Sequence, residues 1–188
     1  MKFKEYCKKI LKESPTRLGL SYGENLDNNA YNREACLDII KTNKPIKKIN
    51  YLSGVIYLYL VDNVLYAIDK KSKFISAYII FREFESGIES LGIWNKFQYK
   101  GLVRFLFFNY FLKKYPKIVS DISHTTQGEK CWEKMVIDSL KSGFYSVFIY
   151  NEINKKLINI KTVNELKKYY GSDKYHYRIV ISNEKNNI

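Results

Sequence analysis

The feature that most constrains this chain is a change of period at Gly54. Before it, apolar residues recur at three- and four-residue steps; after it, they come as short β-branched and aromatic runs. Phe3, Tyr6, Cys7, Ile10 and Leu11 give the stripe of a first helix ending before Ser14-Pro15. Polar Tyr22–Asn29 reads as a loop. Ala35, Cys36, Ile39 and Ile40 give a second helical face that stops near Asn43-Lys44-Pro45, so two helices are expected before any strong strand. From Gly54 onward, Val55–Val61 and Val64–Ile68 flank Asp62-Asn63 as a hairpin, and Phe74–Phe84 and Ile88–Trp94 extend the meander.

The second half alternates. Leu102–Tyr115 is apolar on most sides, with Arg104, Asn109, Lys113 and Lys114 as its polar positions, and predicts a largely buried helix. Ile118–Ile122 is a short strand. Thr126-Gln127-Gly128-Glu129 has the form of a capping box ahead of a helix with Cys131, Trp132, Met135, Ser139 and Leu140 on one face, stopped by Gly143. Ser146–Tyr150 is a strand, Thr162-Val163-Asn164-Glu165 caps a short helix ending at Gly171, and Tyr177–Ile181 is a last strand. Two helices, a meander, then helix, strand, helix and strand make an α/β (α+β) protein with a mixed sheet.

A chain of 188 residues can bury roughly 70% of its unfolded surface in one core. We therefore expect one domain over 1–188: helices and loop over 1–50, a core region over 51–150, and a helix and strand over 151–188. No apolar run approaches the ~20 residues of a membrane-spanning helix, and Glu5, Lys8 and Lys9 interrupt any leader-like segment. A cytoplasmic protein without membrane partners is the expectation. The three cysteines, Cys7, Cys36 and Cys131, show no metal-ligand spacing, and only His124 and His176 are histidines, so no metal site is expected. The formal charge of +13 favours phosphate-bearing partners, either nucleic acid or a nucleotide cofactor. Its lysines are spread along the chain, which equally suits a solvated basic surface. No GxSxG, HExxH or P-loop string occurs, leaving serine-hydrolase, zinc-protease and P-loop readings without a motif.

Directly after the Ile88–Trp94 strand comes Gln98-Tyr99-Lys100-Gly101-Leu102-Val103, at the start of the apolar helix. Such a turn points backbone N–H groups of a loop and a helix N-terminus at one phosphate pair, and Gly101 permits close approach. Lys96, Lys100 and Arg104 surround it, either as phosphate contacts or as solvated cations. This string resembles the pyrophosphate turn of the GNAT family of acyl-CoA-dependent N-acetyltransferases, with Val103 where the family has Gly or Ala. Ser120–Met135, ending Trp132-Glu133-Lys134-Met135, is similar to the family's fifth strand and fourth helix with its Tyr-Glu-Lys-Leu pattern, especially in members encoded by bacteriophages. The similarity runs from about Gly54 to Tyr150.

The resemblance implies a GNAT-like mixed, mostly antiparallel central sheet flanked by helices on both faces. It implies acetyl-CoA as acyl donor, held by Trp94, Asn95, Lys96, Gln98, Tyr99, Lys100, Gly101, Leu102, Val103 and Arg104, with direct transfer to an amine of a small molecule, protein or nucleic acid. That amine must lose a proton and the thiolate must gain one. The family's tyrosine acid is matched by Trp132, whose indole N–H is no acid and which a core position would also explain. His124, Ser123 and Asp121 after the fifth strand, and Glu89 with Glu83 and Glu85 nearby, are the candidate acid–base groups. His124 is the best base, since an unperturbed imidazole has a pKa of about 6.5; an exposed loop histidine is the plainer alternative, as a turn or cap is for Asp121. Cys131, on an apolar helix face, reads as an inert thiol. A GNAT fold that has lost its chemistry and serves in binding or in a virion is the competing function, and nucleic-acid binding is a third.

Overall fold

The computed structural model describes residues 26–52, 54–121, 126–169 and 176–183. The expected first helix, Ile122, Ser123, His124 and Gly171 lie outside these residues. Among the described residues nine strands hydrogen-bond in the order β1 (Lys47–Tyr51), β2 (Gly54–Val61), β3 (Val64–Asp69), β4 (Phe74–Phe84), β5 (Gly87–Asn95), β6 (Lys117–Val119), β9 (Tyr177–Ser182), β7 (Ser146–Asn151), β8 (Lys156–Asn159). The sheet is mostly antiparallel, as the α+β reading requires. The described residues up to Phe81, together with Leu91–Val103, form one compact unit; Arg82–Ser90 and the described residues from Arg104 onward form a second.

In the first unit, α1 spans Asn29–Thr42. Asn28 caps it, its side chain accepting from the amides of Ala30 and Tyr31 at 3.0 and 3.3 Å. Leu26 and Asp27, expected in a loop, are helical, and Leu26 is buried because its apolar side chain joins the core. β1 (Lys47–Tyr51) was not expected; its polar, exposed Lys-Lys-Ile-Asn-Tyr sequence is that of an edge strand with little apolar alternation. It pairs with β2 (Gly54–Val61), which pairs with β3 (Val64–Asp69) across a turn at Asp62-Asn63 where Asp62 is left-handed (φ 52°). β4 (Phe74–Phe84) pairs with β3, and β5 spans Gly87–Asn95. Tyr59, Tyr66, Ile68, Ile75 and Tyr78 pack against Ala35, Cys36 and Ile39 of α1, with Trp94 stacked on Tyr78 at 5.9 Å. Buried Asn32 of α1 is saturated: its amide donates to the carbonyls of Leu26 and Ile75 and its oxygen accepts from the Ile75 amide at 2.7 Å. This bonds α1 to β4.

After a 3₁₀ turn at Phe97–Tyr99, α2 runs as Leu102–Leu106, a π-helical turn Phe107–Phe111, and Leu112–Lys114. Within the π turn the Asn109 side chain donates to the Phe105 carbonyl at 3.0 Å, a side-chain bond where the helix ladder loosens.

In the second unit, β6 (Lys117–Val119) runs parallel to the start of β5, Ile88 opposite Ile118 and Glu89 opposite Val119. Parallel neighbours need a crossover, and α2 supplies it. Gly87 is required here: a Cβ would lie 2.4 Å from the Lys117 carbonyl oxygen. α3 spans Thr126–Ser142 among the described residues and is followed by Gly143 at φ 65°. Its buried face, Trp132, Met135 and Val136, includes a ring contact from Trp132 to Phe107 at 5.5 Å. β7 (Ser146–Asn151) pairs with β9 (Tyr177–Ser182) and with β8 (Lys156–Asn159), a polar edge strand that periodicity does not flag. α4 (Val163–Leu166) has the expected capping box between Thr162 and Glu165. Among the described residues no helix is long and apolar enough to cross a membrane.

Candidate cofactor site

The stretch from Trp94 to Val103 occupies the carboxyl end of β5 and the entry to α2. The Lys96 amide donates to the Ser76 carbonyl at 2.9 Å, and its ammonium binds the Asn29 side-chain oxygen and lies 4.5 Å from the Phe74 ring centre. The Asn95 side chain donates to the Lys96 carbonyl. Two internal bonds close the 3₁₀ turn: the Tyr99 amide to the Lys96 carbonyl (2.8 Å) and the Lys100 amide to the Phe97 carbonyl (3.2 Å). The amides expected from Gln98 to Val103 as one phosphate cradle are thus divided. Those of Tyr99 and Lys100 are committed to the turn, and those of Leu102 and Val103 open a helix whose first N–H groups have no intrahelical partner.

Gly101 joins the two parts at φ 90°, a left-handed conformation that side-chain-bearing residues rarely adopt. Gln98 and Lys100 are exposed. Leu102 and Val103 are buried, so the branched side chain of Val103 points into packed protein. Arg104, in the second unit, pairs with Asp138 at 3.2 Å; both are partly solvated, and such a pair contributes about 0–1 kcal/mol.

The sequence points to Tyr99 at this turn but gives no sign of its partner, Asp69. The Tyr99 hydroxyl donates to Asp69 Oδ2 at 2.7 Å, while Asp69 Oδ1 accepts from the Lys71 and Ser72 amides at 2.7 and 2.8 Å. Burial acts to raise the Asp69 pKa, but the bonds from the Ser72 amide, the Tyr99 hydroxyl and the Lys71 amide outweigh it and hold the carboxyl below its ordinary 3.8. Aspartate opening a turn before Lys-Lys-Ser is a legible Asx-turn signal; its reach to Tyr99 is not.

In the second unit, Glu89 is buried at 1% exposure. Its Oε2 accepts from Arg82 Nε at 2.6 Å and its Oε1 from the Arg178 guanidinium. Arg178, itself buried, also ion-pairs with Glu152 and lies 5.4 Å from the Phe84 ring centre. Both Glu89 oxygens are therefore engaged by guanidinium groups, an arrangement that anchors a charge in an apolar sheet. The signal for this pair was present: Glu89 and Arg178 are the lone charged residues of their apolar strands. Glu83 is exposed and Glu85 pairs with Lys117 at 2.6 Å.

Asp121 is half-buried and follows Ser120, whose hydroxyl accepts from the Ile179 amide at 2.9 Å and donates to the Asp121 carbonyl at 3.1 Å. Trp132 is a core residue. Burial pushes the Cys131 thiol up to about 11 and Cys36 up to about 12, far from the thiolate a nucleophile needs. Among the described residues no group of three or more His, Cys, Asp or Glu is placed to hold a metal.

Comparison of the chain with protein-family models, with curated proteins and with solved structures gives no match.

Proposed function

We propose that this chain is an acyl-CoA-dependent, GNAT-type N-acetyltransferase-like protein that uses acetyl-CoA. The observation that carries the reading is the junction at Gly101: a strand ends, a 3₁₀ turn follows, and a left-handed glycine leads into a helix. Three features fit a diphosphate. Gly101 presents no Cβ, the first amides of α2 carry the positive end of the helix dipole, and Lys100 stands exposed beside them. The turn also lies at the carboxyl end of a strand in a β-α-β crossover, where open sheets bind their ligands.

In this reading the amides of Gly101, Leu102 and Val103 would hold the diphosphate, and the carboxyl half of β5 would pair with the pantetheine arm. Acetyl-CoA supplies an activated thioester carbonyl. With acetyl-CoA bound, transfer to an acceptor nitrogen would form a C–N bond and break the C–S bond, one proton being lost from the nitrogen and one gained by the departing thiolate. His124, with Ser123 and Asp121, follows β6 and is the proposed proton-handling group. Glu89, with both oxygens bound to arginines, is assigned to holding charge in place.

A second reading, a GNAT-type protein that binds without transferring acetyl, is favoured by Trp132, a buried core residue where the family carries its tyrosine acid. The charge of +13 leaves a nucleic acid as a candidate acceptor or partner, and gel shifts over a salt series test it, since phosphate-driven binding weakens steeply with salt.

Calorimetric titration with acetyl-CoA, followed by an assay for released CoA thiol in the presence of candidate amines, separates the readings. Binding with thiol release supports transfer, and binding without it supports the second reading. No heat at millimolar acetyl-CoA overturns both.

A further inference from the structure

The turn read as phosphate-binding is held by three strands of its own unit through residues that form no part of the phosphate-binding pattern. Tyr51, the last residue of β1, donates its hydroxyl to the Lys100 carbonyl at 2.8 Å. Asp69, the last residue of β3, accepts from the Tyr99 hydroxyl at 2.7 Å. Ser76 is the extra residue of a bulge in β4, where Ala67 pairs with Ala77 but Ile68 with Ile75, and its carbonyl takes the Lys96 amide.

The Tyr51 contact has a directional consequence. The peptide unit is planar and trans, so fixing the Lys100 carbonyl toward Tyr51 turns the Gly101 N–H of the same unit the opposite way. Meanwhile the Asp69–Tyr99 bond fixes the residue before that unit, and the Lys96–Ser76 bond fixes the start of the turn. Without these contacts a solvent-facing turn with Phe97 at 90% exposure keeps more conformational freedom to lose when a ligand binds, at an entropic cost to affinity.

We infer that Tyr51, Asp69 and Tyr99 are positioning residues for diphosphate binding: a clasp that sets the Gly101 N–H in its binding direction before the cofactor arrives. The inference rests on the cofactor reading above, with which it shares the turn. Hydroxyl deletion is the test, through Tyr51→Phe and Tyr99→Phe, each of which keeps the ring and its packing.

Two measurements are made on each variant: acetyl-CoA affinity by calorimetry, and amide hydrogen exchange without ligand. Each deletion is expected to weaken acetyl-CoA by about threefold to tenfold, the effect of one hydrogen bond. Exchange is expected to quicken in residues 97–103 while β2 and β3 keep wild-type protection. Unchanged affinity overturns the inference, as does exchange that quickens across β2 and β3 as much as in the turn, which marks a general structural role. If the wild-type protein binds no acetyl-CoA, the cofactor reading fails by itself. The clasp is then judged on exchange alone: selective quickening of the turn supports it, and unchanged exchange there overturns it.

Discussion

The two units handle their polar groups differently. In the first, Asn32, Tyr51, Tyr99 and Asp69 are joined mostly by uncharged donors to backbone or to a single carboxylate, and together they fix a loop and a helix on the sheet. In the second, Glu89, Arg178, Arg82 and Glu152 concentrate four charges at the sheet, two of them nearly fully buried. A network of neutral bonds loses one modest interaction at a time. A buried ion cluster responds all at once, because removing one partner leaves another charge stranded. The first arrangement suits fine control of the turn proposed to bind cofactor; the second suits locking β9 to residues 87–90 of β5 within the second unit.

That contrast is most easily broken in the second unit. Glu89→Ala takes from Arg178 its fully buried partner, leaving it only the partly exposed Glu152, and should cost about 3–5 kcal/mol of stability in urea unfolding; a loss below about 1 kcal/mol would show that water and Glu152 already compensate the cluster. Next in size is Gly101→Ala, which forces a side chain into a left-handed conformation and should cost about 1–2 kcal/mol. Gly101→Trp should also abolish acetyl-CoA binding by filling the turn, and retained affinity would move the site elsewhere.

Tyr99→Phe should be milder still, about 0.5–1.5 kcal/mol. If it matched the Glu89→Ala loss, the proposed difference between the units would disappear. The smallest effect is in acid. Because folding lowers the Asp69 pKa, its contribution is fully present above the ordinary value of 3.8 and fades as pH falls through the lower folded value. Asp69→Asn should therefore flatten the loss of thermal stability below about pH 4, and an unchanged acid limb would mean that Asp69 is not held as described.

Much of this architecture is legible in the sequence because its strands are long and buried. Phe74–Phe84 and the hairpin at Asp62-Asn63 alternate or run apolar strongly enough to be placed within a residue. β1 and β8 escape because they are edge strands: Lys47, Lys48 and Lys156 face water, and edges owe their place to pairing more than to burial. The turn at Gly101 is readable since glycine there answers a local backbone need. Its supports are not, because Tyr51 and Asp69 lie far from it in sequence and reach it only once the sheet has formed. The capping box at Thr162 is legible because it is local, a matter of four consecutive residues.

The central claim is that the strand, turn and helix around Gly101 hold the diphosphate of acetyl-CoA. Its most direct test is calorimetric titration of the wild-type protein and Gly101→Trp with acetyl-CoA, side by side. The account calls for saturable binding by the wild type and none by the variant; no binding by the wild type at millimolar acetyl-CoA, or equal binding by both, would contradict it.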